Sequence, residues 1–97
     1  MEKSKTHRGF ALGKFTDLYG AKCSIQKSSL ATDDAIWLGV DDADPKIMAS
    51  KTDEGGTGWV PYYIPGDVLL TTRMHLNRDQ VSDLLPVLQK FVDTGEI

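Results

Sequence analysis

Residues 68–95, VLLTTRMHLNRDQVSDLLPVLQKFVDTG, contain the change of period that decides the fold. Over the first half, Val68, Leu70, Thr72, Met74 and Leu76 alternate with Leu69, Thr71, Arg73 and His75, the two-residue repeat of a strand. From Val81 the repeat lengthens. Val81, Leu84, Leu85, Leu88, Phe91 and Val92 fall on one stripe of a 3.6-residue helix. Asn77 stands between the two patterns as an N-cap, and Gln80 three residues later completes a capping box. Leu76 before the cap and Val81 inside it form a hydrophobic staple, and Gly95 stands where a left-handed helix terminus belongs. Pro86 falls on the polar side of this helix, with Asp79, Ser82, Asp83 and Lys90. The apolar stripe stays in phase across it, so one kinked helix is expected in preference to two short ones.

Upstream, the chain reads as a series of strands. Phe10, Leu12, Phe15 and Leu18 give a first strand whose alternation breaks near Gly13, as at a bulge, before a turn at Tyr19-Gly20. In Ala21–Ser28, Ala21, Cys23 and Ile25 share one face, while Lys22, Ser24, Gln26 and Ser28 share the other. Ile36, Leu38 and Val40 form a third strand with Trp37 on its opposite face, stopped by Asp41–Pro45. Ile47–Ser50 is a weaker strand, and Lys51–Gly58 is a glycine-rich loop. In Trp59–Ile64, Pro61 limits the strand to an edge. The expected architecture is α+β: a five- or six-stranded, mainly antiparallel sheet with one C-terminal amphipathic helix packed on one face. Residues 1–9 read as a disordered polar tail and residues 10–97 as a single domain. A helix of about 17 residues, about 25 Å long, covers only part of such a sheet, which leaves room for a homodimer.

Composition narrows the function classes. A single cysteine rules out an internal disulfide and fits a reducing compartment. No apolar run reaches the roughly 18 residues that cross a bilayer, and the charged N-terminus lacks a signal-peptide core. A cytoplasmic protein without a membrane role is expected. The net charge of −3 argues against non-specific nucleic-acid binding, which draws on many phosphate contacts.

Few residues point to chemistry. A nucleophilic cysteine needs a neighbouring imidazole, cation or helix N-terminus. The alternation puts His75 opposite Cys23, so Cys23 is expected in the core. One cysteine and one histidine outside the tail do not make a zinc site. Asp41, Asp42 and Asp44 lack the glycine and distal glutamate of a calcium loop. Gly55–Gly58 lacks the Lys-Ser/Thr pair of a phosphate loop. No cofactor is expected, and no enzyme. Candidate binding residues are Gln26, Lys27, Ser28 and Ser29 at the second strand, with Trp37, Arg73 and His75 on the outward sheet face. Arg73 and His75 are two apart on one strand and offer donors suited to an anion. Trp37, with Trp59, Tyr62 and Tyr63, belongs to residue types enriched at interface hot spots.

The runs FTDLYGAKCSIQKSSLATDDAIWLG (15–39) and TTRMHLNRDQVSDLLPVLQKFVDTGEI (71–97) resemble a family of small bacteriophage and prophage proteins. The likeness extends over nearly everything from Phe15 to Ile97. It implies accessory phage biology in the cytoplasm of a host cell: binding a host or defence-system protein, or sequestering a small anionic ligand such as a nucleotide. It carries over no functional residue.

Overall fold

A computed structural model describes all 97 residues. The chain is α+β, with a five-stranded antiparallel sheet, one C-terminal helix packed against it, and a small separate two-stranded sheet. The chain divides into two compact units, Met1–Asp41 with Arg73–Ile97, and Asp42–Thr72.

The larger unit holds strands β1 (Glu2–Lys5), β2 (Ala11–Thr16), β3 (Lys22–Lys27), β4 (Ala35–Val40) and β7 (Arg73–Asn77), in the spatial order β1-β2-β3-β4-β7. Every neighbouring pair is antiparallel. Turn chemistry explains the first hairpin, because the residues expected as a tail form β1. Thr6 and Phe10 close it: the Thr6 amide donates to the Phe10 carbonyl, and the Phe10 amide donates to Thr6 Oγ1. All four β1 side chains are exposed, so the strand holds through its backbone alone. Its lysines suit an edge that must not recruit another strand.

Gly13 is not a bulge. It pairs in unbroken register with Ile25, between Leu12↔Gln26 and Lys14↔Ser24. Its lack of a side chain is needed for close approach: a Cβ there would collide with the Met1 side chain and come within 3.0 Å of Ile25 Cγ2. The next turn is built by Asp17, whose Oδ1 accepts from the amides of Tyr19 and Ala21.

Only the last part of the expected Val68–Leu76 strand forms, as β7. Alternation is a requirement for a half-buried strand, but a strand also needs a partner. β4 offers partners for Arg73–Asn77 alone, through Gly39↔Arg73 to Ala35↔Asn77. Residues 68–72 fall in the smaller unit without strand structure. That unit contains β5 (Lys46–Met48), a 3-10 turn at Ala49–Lys51, and β6 (Trp59–Pro61). Pro61 lies opposite Lys46 at the end of the two-strand ladder, where its missing N–H costs little.

Helix α1 (Arg78–Thr94) begins directly after β7, with no intervening loop. The capping box is complete: Asn77 Oδ1 accepts from the Gln80 amide, and Gln80 Oε1 accepts from the Asn77 amide, each at 2.9 Å. Asp79 adds a carboxylate in the first turn, favourable at the positive helix end. Pro86 lies inside one uninterrupted helix, and the Ser82 carbonyl it leaves unpaired belongs to an exposed residue. Gly95 ends the helix at φ 76°, a left-handed conformation that lets its amide donate to the Phe91 carbonyl at 2.8 Å. The helix meets the sheet at its N-terminal end, where Val81 and Leu85 line a groove with Ile36 and Leu76. No helix is long and apolar enough to cross a membrane.

On β3 the adjacent Cys23 and Ser24 are both buried. Cys23, in a row with Phe15 and Val40, is 4% exposed, and its Sγ donates to the Ala21 carbonyl at 3.5 Å. The expectation of a core cysteine holds.

Two outcomes check this packing. Asn77→Ala should lower stability by about 1 kcal/mol, read as an earlier thermal midpoint; an unchanged melting curve would mean that the cap carries no weight. Alkylation of the native Cys23 thiol should become fast only when the chain is unfolded, and equal rates in native and denatured protein would contradict its burial.

Candidate functional site

Side chains that lie directly opposite in adjacent strands share a face of the sheet. One row therefore runs Leu12, Gln26, Trp37, His75, and the next runs Lys14, Ser24, Gly39, Arg73. The row beyond adds Lys22, whose carbonyl accepts from the Asp41 amide. This face is polar and aromatic. The opposite face carries Cys23 with Phe15 and Val40, then Gly13, Ile25, Leu38 and Met74, then Lys27, Ile36 and Leu76.

At the centre of the polar face, the Trp37 indole and His75 imidazole are stacked, 4.9 Å between centroids and 4° from parallel. Direct cross-strand pairing on β4 and β7 brings them together. Arg73, two residues before His75 on the same strand, places its guanidinium carbon 5.2 Å from the Trp37 ring centroid. Gly39, opposite Arg73, contributes no side chain to crowd it. The cation–π contact is worth about 0.5–1 kcal/mol at a half-exposed site. Its larger effect is to hold a flexible side chain in one place. Gln26, on the other flank of Trp37, is half-buried, and Arg73 enters no ion pair.

A second feature lies beside this cluster. Lys14 Nζ donates to Asp41 Oδ2 at 2.9 Å, linking β2 to the end of β4. The Lys14 hydrogen bond chiefly holds the Asp41 carboxyl below its ordinary value near 3.8, and the Ser24 hydroxyl turned toward it adds to the effect. Neither Ser24 Oγ nor Asp41 Oδ1 completes a well-aligned hydrogen bond of its own, although both atoms are buried. The sequence marked Asp41 only as a strand-ending turn. Extending the Trp37, Gly39 alternation by one step would have placed it on the polar face with Lys14.

The seven candidate residues do not form one cluster. Gln26, Trp37, Arg73 and His75 come together. Lys27 lies on the opposite face, in the row of Ile36 and Leu76, with its Nζ 3.5 Å from Asp34 Oδ1. Ser28 is buried and shapes a turn: its amide donates to the Ala35 carbonyl and its Oγ accepts from the Leu30 amide. Ser29 is exposed at the strand end. Trp59, Tyr62 and Tyr63 belong to the smaller unit. Cys23 and His75 occupy opposite faces of the sheet, so no thiol–imidazole pair exists. No group of three or more histidine, cysteine, aspartate or glutamate side chains is gathered as a metal site would require.

This face gathers several kinds of polar and aromatic group. It offers an aromatic plane, a guanidinium fork, an imidazole and an amide on neighbouring strands. A rigid sheet holds them in fixed spacing.

The Asp41 carboxyl gives a pH test. A carboxyl whose folded value is depressed contributes stability above its unfolded value near 3.8, and that contribution is lost as pH falls through the lower folded value. The difference in stability between the native chain and Asp41→Asn should be largest above about pH 5 and shrink through the acid range below about pH 4. Denaturant titrations across that range check this; a difference that stays constant would contradict the pairing.

No family model, curated protein or solved structure matches the chain.

Proposed function

We propose that this chain is a non-enzymatic binding protein that engages a partner protein through the polar face of its five-stranded sheet. The carrying observation is the stack of Trp37 and His75 with Arg73 against the Trp37 ring, open on a sheet face and flanked by Gln26. Tryptophan and arginine dominate the energetics of protein interfaces because each buries a large area while keeping specific polar geometry. Here both are pre-positioned, so little side-chain freedom is lost on binding. The likeness to small bacteriophage and prophage proteins supports a host or defence-system protein as the partner and the host cytoplasm as the location.

A small anionic ligand, such as a nucleotide, is the second reading, favoured by one observation: Arg73 and His75 project from one strand face, and Arg73 has no carboxylate paired to it. Such a ligand would draw on these two residues and Gln26, since Lys27 belongs to the other face.

Native mass spectrometry of protein purified from host cells distinguishes the two. A co-purifying host protein is expected, retained by the native chain and lost by Arg73→Ala and Trp37→Ala while both variants stay folded, read as a cooperative thermal transition above the assay temperature. A stoichiometric small-molecule adduct in its place would favour the anion. A partner still held by both variants would refute this face as the binding surface.

A further inference from the structure

The apolar side of the larger unit is left uncovered. From Ser82 to the C-terminus every residue is exposed, including the helix stripe: Leu85 is 58%, Leu88 56%, Phe91 56% and Val92 76% exposed. The facing side of the sheet is incompletely covered, with Ile25, Ile36, Leu38 and Leu76 each half-buried. Ile36, Leu76, Val81 and Leu85 line a groove of about 400 Å³, and Ile25 and Ile36 line a second of about 280 Å³ beside Met1. Met74, in the row of Ile25 and Leu38, is 54% exposed.

We propose that a second copy of this chain covers this side, in a two-fold pair in which the α1 stripe of each copy seats against the apolar side of the other. Three considerations select a second copy. First, α1 cannot stand on its own propensity. At 17 residues it carries an interior proline, Pro86, which costs about 3 kcal/mol, and most helical stability in proteins comes from packing an amphipathic face rather than from propensity. Its stability has to come from covering the stripe. Second, the fully buried residues of this unit are all small: Gly13, Cys23, Ser24, Ser28 and Ala35. A core without one buried leucine, isoleucine or phenylalanine supplies little of the apolar burial that drives folding, which favours a constant cover over an occasional partner. The cover must be present from synthesis, as another copy of the chain is. Third, the areas match. The α1 stripe alone exposes on the order of 500 Å² of apolar surface, at the upper end of the roughly 300–600 Å² that the largest patch of a typical monomer reaches. Two stripes and the grooves they fill exceed the roughly 1,000 Å² that marks a specific interface. Each copy both donates a stripe and accepts one, so the pairing is isologous and closes at two.

Sedimentation velocity of the full chain at micromolar concentration should give twice the 10.7 kDa chain mass, and the thermal midpoint should rise with protein concentration, as for any folding coupled to association. Leu88→Ala with Phe91→Ala keeps the best helix-forming residue and removes only side chains that the chain's own fold leaves exposed. It should weaken association at least about tenfold. A single-chain mass with a concentration-independent midpoint would overturn the proposal. So would a dimer whose affinity the double substitution leaves unchanged. Neither result bears on the Trp37 face, which lies on the other side of the sheet.

Discussion

The register of β3, β4 and β7 is the constraint on which the rest depends. With Gln26 opposite Trp37 and Trp37 opposite His75, three strands carry their polar and aromatic side chains to one face. The same pairing sends Cys23, Ile25, Leu38 and Met74 to the other. Strand side chains repeat every two residues, so a slip of one residue would exchange the two faces completely. The stacked Trp37 and His75 rings and the buried Cys23 are both consequences of this single choice.

The two faces divide the work. Contacts on the polar side are individually weak, since exposed ion pairs such as Lys14–Asp41 contribute at most about 1 kcal/mol. They position side chains more than they hold the fold. Cohesion must come from the apolar side, where burial is worth about 25 cal/mol for each Å² removed from water. On that side the large side chains of the sheet are mostly half-buried, and those of the helix from Leu84 on are exposed. The capping box and Gly95 terminus define where α1 starts and stops, but they do not cover its stripe. The proposed binding face and the proposed self-association face are compatible because they lie on opposite sides of the sheet.

The central strands and the helix were legible in the sequence because their signals are local. Cys23 and Ile25 alternate with polar neighbours, and Ile36, Leu38 and Val40 with Trp37 and Gly39, so both need only the two-residue repeat to be placed. Asn77, Gln80 and Gly95 each satisfy backbone groups within a few residues of themselves. What escaped depends on partners distant in sequence. β1 has no apolar pattern, because an all-exposed edge strand is held by backbone hydrogen bonds to β2. Residues 68–72 alternate well but have no neighbouring strand to complete a ladder. Lys27 reads as a neighbour of Gln26, yet adjacent strand residues point to opposite faces. The pairing of Lys14 with Asp41 spans 27 residues, and no local pattern announces it.

The register can be observed directly in solution. Nuclear Overhauser contacts should connect the Trp37 indole protons to the His75 imidazole protons, with the Gln26 side chain on the indole's other flank. Contacts from the indole to the Met74 methyl and the Ile25 side chain, in place of these, would mean that β4 is slipped by one residue and that the proposed binding face does not exist.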